Sequence, residues 1–133
     1  MDNFPIFLEI KNKPVLVIGG GDIALRKIKL LIKSKPNLTV VAKNFCEEIL
    51  DLKDRYSIDI IQKDFHPDDI VFPMIIIAAT NNKLLNKQIA QIGGKKKIPV
   101  NVVDQPALCT FTMGSIVERG SLVVSISSSG KAP

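Results

Sequence analysis

Apolar and polar positions switch between two periods along this chain. Val15, Leu16, Val17 and Ile18 form a continuous apolar run that breaks into Gly19, Gly20 and Gly21, after which Ala24, Ile28, Leu31 and Ile32 recur at helical spacing. The pattern predicts a strand over residues 14–19 and a helix over 22–34. Pro36 and Asn37 punctuate; residues 38–42 predict a second strand, and 45–54 an amphipathic helix carried by Phe45, Ile49, Leu50 and Leu52. A third strand is expected over 57–61, a helical turn over 67–70, and a fourth strand over 74–79. The fourth is apolar on both faces, which places it centrally in a parallel sheet covered by helices on both sides. Asn82 caps a helix that reaches Ile92 and ends at Gly93 and Gly94, and residues 99–103 form a fifth strand ending at Asp104.

Strands alternating with helices or helical turns specify an α/β, Rossmann-like, doubly wound and mainly parallel sheet. Beyond Pro106 the period changes. Residues 110–117 and 121–126 flank Glu118, Arg119 and Gly120, which predicts a β-hairpin. The expected organisation is a sheet domain over 1–105 and a hairpin segment over 106–133.

Composition narrows the class. With 133 residues, 46% hydrophobic and 23% charged, the chain can bury a core without staples and is not disordered. No apolar run approaches the ~18 residues of a membrane span, and a signal-peptide pattern is missing. The two cysteines, Cys46 and Cys109, have no CxxC spacing, so a reduced, cytoplasmic protein without membrane association is expected. The net charge is +5. Its clusters, Arg26/Lys27/Lys29, Lys33/Lys35 and Lys95/Lys96/Lys97, lie in or beside predicted helices with little aromatic surface between them. Solvated helix faces fit this better than a nucleic-acid partner. His66, Cys46 and Cys109 stand at no ligand spacing, so no metal site is expected.

The glycine run carries candidate chemistry. Gly19, Gly21 and Ala24 satisfy G-x-G-x-x-A between a strand and a helix, the arrangement that sets a dinucleotide pyrophosphate on a helix N-terminus. No Lys-Ser or Lys-Thr pair follows, which excludes a P-loop. Asp22 is either part of this phosphate site or a plain N-cap. One feature departs from the dinucleotide pattern: the second strand ends in Val41, Ala42, Lys43 and Asn44, without the acid that would hold the ribose 2′-OH. That permits NADP, with Lys43 as a phosphate partner.

Several segments in order resemble the precorrin-2 dehydrogenase module of siroheme synthases. They are Phe4-Pro-Ile-Phe7, Gly19-Gly-Gly-Asp-Ile-Ala-Leu-Arg-Lys27, Ala78-Ala-Thr-Asn81, Asn101-Val-Val-Asp104, Phe111 with Ser115 and Ile116, and Val124-Ser-Ile-Ser-Ser-Ser-Gly130. The resemblance implies oxidation of precorrin-2 to sirohydrochlorin with NAD as hydride acceptor. It also implies Asp104 as the catalytic aspartate, for which a turn cap before Pro106 is the structural alternative. A carboxylate suits the protons that leave with a hydride. Gly19, Gly21, Asp22 and Ile23 would then contact the cofactor at the helix, Lys43 and Asn44 near the adenosine ribose, and Thr80 and Asn81 near the nicotinamide. Ser128 resembles a pocket serine, with an exposed hairpin-end residue as the alternative, and Lys131 is a candidate for the substrate's carboxylates. NAD is the expected cofactor, because the resembled family uses it without a strict acidic requirement.

The same family forms homodimers, and some members also insert iron into sirohydrochlorin. It usually has Pro where Gly114 stands, so a looser loop is expected there, and it continues into a helical region beyond the Ser/Gly-rich stretch. The chain is therefore expected to be a fragment or trimmed piece that binds cofactor and turns over slowly or not at all. A non-catalytic NAD-sensing domain is the rival function.

Overall fold

The computed structural model describes residues 1–128; Lys131 and the end of the terminal Ser/Gly stretch lie outside them. Among the described residues seven strands and three α-helices follow one another as β1 (Pro14–Ile18), α1 (Asp22–Leu31), β2 (Asn37–Ala42), α2 (Glu47–Arg55), β3 (Ile58–Gln62), β4 (Ile75–Ala78), α3 (Lys83–Lys95), β5 (Val100–Val102), β6 (Ser115–Arg119) and β7 (Leu122–Ile126). The first five form one sheet in the order β3-β2-β1-β4-β5, parallel throughout, while β6 and β7 pair antiparallel in a sheet of their own.

Alternate strand residues feed two cores. Val15, Val17, Val40 and Ile77 pack with Ile28 of α1 and Ile49 of α2, and Leu16, Ile18, Ile76 and Val100 pack with Ile89 of α3. Helices thus cover both faces, as a doubly wound sheet requires. Each fully buried Ile or Leu side chain contributes about 1.5–3 kcal/mol. The chain order reverses between β1 and β4, and crevices for ligands open at the carboxyl ends of strands around such a point.

β4 is buried on both faces and lies inside the sheet, between β1 and β5, as expected. Three element boundaries need correction. α2 starts after Cys46, leaving Phe45 in the preceding loop. The hairpin begins at Ser115 rather than 110, because Thr110 is held back against β5, its N–H donating to Val100 O at 2.8 Å. Finally, α3 runs through Gly93 and Gly94. A Cβ on Gly93 would stand 2.3 Å from Val100 Cγ2, so this glycine lets the helix approach β5 closely, and the turn out of α3 falls to Lys97 at φ 58°. Gly114 similarly marks a close approach and not slack: a Cβ there would lie 2.4 Å from Ile126 O.

Candidate functional site

The glycine loop leaves β1 wedged between the ends of two neighbouring strands. Gly19 takes φ +138°, open to glycine alone, and a Cβ on it would lie 2.2 Å from Ala79 O beyond β4. On the other side a Cβ on Gly20 would lie 2.0 Å from Asn44 O beyond β2. Backbone hydrogen bonds fix both contacts: Gly19 N donates to Val41 O at 2.9 Å, and Cys46 N donates to Gly20 O at 2.8 Å. Gly20 occupies an unspecified position of the G-x-G-x-x-A pattern, so that pattern gives no hint of its constraint.

Gly21 differs from its neighbours. It is the N-cap of α1, carries no side chain to accept from the first-turn N–H groups, and faces open space, with nothing within 4 Å of an added Cβ. Asp22 is therefore not an N-cap but the first helical residue. Buried Ala24 seats the helix on the sheet.

In front of the loop lies a cavity of about 970 Å³, at the upper end of the range of about 300–1,000 Å³ common for small-molecule and cofactor sites. Gly19, Gly21, Asp22, Ile23, Lys43, Asn44, Thr80 and Asn81 all line it. Uncapped N–H groups at a helix start, the glycine cradle and the helix dipole together fit a pyrophosphate.

The Thr80–Asn81 wall of the cavity is held by a residue outside every motif of the sequence. Asn86 of α3 is buried, and its Oδ1 accepts from Thr80 N at 3.2 Å and from Thr80 Oγ1 at 2.6 Å, while its Nδ2 donates to Thr80 O at 3.0 Å. Asn82 caps α3 as expected, accepting from Leu85 N at 3.1 Å. A polar residue on the inward face of α3, level with Ile89 and Gly93, was the available signal.

Asp104 sits on the same edge of the sheet, just past β5, exposed and outside the cavity lining. Its φ of 58° is left-handed, a region Asp tolerates better than most residues. Val103 N donates to Ala78 O at 3.1 Å, tying the turn to β4. Behind Asp104, Cys109 Sγ accepts from Val102 N at 3.1 Å and donates to Val102 O at 3.2 Å, and Asn101 Nδ2 donates to Phe111 O at 3.1 Å. Asn101 Oδ1 and Gln105 Nε2 are buried without hydrogen-bond partners. Cys109 thus braces the Asp104 turn.

Other residues lie apart. Ser128 is exposed beyond β7 and outside the cavity. His66 caps a short 3-10 turn, accepting from Asp68 N at 3.1 Å, while its own N–H donates to Asp69 Oδ2 at 2.8 Å. Burial by itself raises the Asp69 carboxyl, but the bonds from Lys63 and His66 N–H and the charges of Lys63 and His66 outweigh it and hold the group below the usual carboxylate range. Among the described residues no three His, Cys, Asp or Glu side chains cluster as a metal site, and no helix is long and apolar enough to cross a membrane.

The family described as "Putative NAD(P)-binding" matches residues 6–115. The chain is 48% identical over all 133 residues to a siroheme synthase of Ruthia magnifica subsp. Calyptogena magnifica, and 41% identical over the same residues to one of Pseudoalteromonas translucida. It spans 28% of the length of each. Among solved structures, "SirC, precorrin-2 dehydrogenase" superimposes with a TM-score of 0.83 over 98% of this chain and 64% of that one, at 28% identity.

Proposed function

The chain belongs to the NAD(P)-binding family and, within it, to the group of siroheme synthases and precorrin-2 dehydrogenases, and we propose that it takes part in the NAD-dependent oxidation of precorrin-2 to sirohydrochlorin. The observation that carries the reading is one sheet edge holding both an uncapped glycine loop in front of a cavity and, two strands away from β1, an exposed Asp104. When bound, the nicotinamide group supplies the hydride acceptor. Gly21, Asp22 and Ile23 hold the pyrophosphate on α1, Lys43 and Asn44 flank the adenosine ribose, and Thr80 and Asn81 border the nicotinamide. Asp104 takes the proton that leaves precorrin-2 with the hydride. Cys109 and Asn86 act as positioning residues.

The net charge of +5 favours a tetrapyrrole polycarboxylate. Every residue of β6 and β7 is exposed, including Ile116, Leu122 and Ile126, and this apolar hairpin suits a second copy of the chain in a homodimer. A cytoplasmic setting follows from the same assignment. Because Asp104 does not line the cavity, the second reading is a domain that binds NAD without chemistry.

The test is absorbance spectroscopy of the protein incubated with precorrin-2, with and without NAD. Sirohydrochlorin is expected only with cofactor. Folded protein that binds NAD and forms no product favours the sensing role.

A further inference from the structure

Dinucleotide sites of this architecture usually end the second strand in an acid that accepts from the ribose diol, and β2 here ends without one. The neighbouring strand brings a carboxylate to the same place. β2 and β3 pair in register up to Ala42 and Gln62, Lys63 N donates to Ala42 O at 2.9 Å, and Gln62 Nε2 donates to Lys43 O at 2.9 Å. The chain therefore leaves β3 level with Lys43, and the next residue, Asp64, places Oδ1 3.2 Å from Lys43 Nζ. Both side chains line the cavity. We propose that Asp64 is the ribose-reading carboxylate of this site and that its pairing with Lys43 selects NAD over NADP; the proposal rests on the cofactor reading given above.

The chemistry is a matter of counting donors and acceptors. A ribose diol offers two O–H donors, which one ionised carboxylate accepts together. Asp64 and Lys43 keep 76% and 74% of their side-chain surface exposed, so the pair is loosely held and Asp64 can turn toward a ligand at small cost. The other lysine lining this end, Lys63, is engaged by Asp69 at 2.5 Å. Each of the two cations thus already has its own carboxylate. The 2′-phosphate of NADP carries a charge of about −1.5 to −2. It can gain Lys43 only by stripping Asp64 of its partner and lying beside that carboxylate.

Titration calorimetry of the intact chain with NAD and with NADP tests this, using wild type, Asp64→Asn and Asp64→Asn combined with Lys43→Ala, with circular dichroism to confirm folding. Wild type is expected to favour NAD by about tenfold or more, since like-charge juxtaposition is strongly disfavoured. Asp64→Asn should weaken NAD several-fold and move the NADP-to-NAD ratio toward NADP by about tenfold. Adding Lys43→Ala to Asp64→Asn should remove whatever NADP binding the Asn variant gains. An unchanged ratio in Asp64→Asn, with NAD still bound, overturns the role of Asp64 and leaves the cofactor site standing. Binding of neither dinucleotide by folded wild type overturns the cofactor reading and this proposal with it.

Discussion

The two sides of the candidate site are held by different physics. The glycine loop is fixed by backbone against backbone on both flanks: Gly19 presses on Ala79 O beyond β4, and Gly20 on Asn44 O beyond β2, each leaving no room for a Cβ. On the β4–β5 side the fixing is done by side chains, Asn86 gripping Thr80 and Cys109 bridging Val102. A wall made of backbone leaves few substitutions open. A wall made of side-chain hydrogen bonds can be altered one bond at a time.

Glycine substitutions separate geometry from ligand contact. Gly20→Ala is expected to cost about 3 kcal/mol or more, the upper end for overpacking, and to abolish nucleotide binding, as thermal unfolding and calorimetry would report. Gly21→Ala should leave the melting temperature nearly unchanged, because its Cβ meets nothing, yet weaken NAD binding by more than about tenfold as the methyl enters the pyrophosphate's space. Equal melting losses in both variants would erase the distinction between loop support and ligand space.

On the other side, Asn86→Leu strands the N–H and C=O of Thr80. A loss of about 2–3 kcal/mol is expected, roughly 5–10 °C in melting temperature, together with weaker NAD binding. A smaller effect, about 1 kcal/mol, is expected for Cys109→Ala, with precorrin-2 oxidation falling further than NAD affinity. The smallest concerns Asp69, which lies outside the cavity lining. Its carboxyl is held low in the folded state, so its contribution is present above the ordinary value near 3.9 and fades as pH falls through the lowered folded value. Asp69→Asn should cost under about 1 kcal/mol at pH 7, and its melting curve should converge on the wild-type curve well below pH 4.

Local signals explain what was legible in the chain. The apolar run into Gly19, the Asn82 cap and the strand ending at Asp104 each rest on a short-range rule, and each is realised. Illegible in the chain are the residues that answer to a distant partner. Gly93 reads as a helix stop until Val100 is known to press on it, and Gly20 reads as a spacer until Asn44 does. Asp64 is invisible as a site residue because the dinucleotide rule looks after β2, and only the β2–β3 register brings it to Lys43. Asn86 is a polar residue on an otherwise apolar helical face, and its partner Thr80 lies outside that helix.

Asp104 is where the assignment as a dehydrogenase is most exposed, since it stands at the site's edge and not in the cavity wall. The most direct measurement compares wild type and Asp104→Ala for NAD affinity by calorimetry and for sirohydrochlorin formation by absorbance. NAD affinity within a few-fold and loss of oxidation is the expected result; oxidation at the wild-type rate in the variant would contradict it.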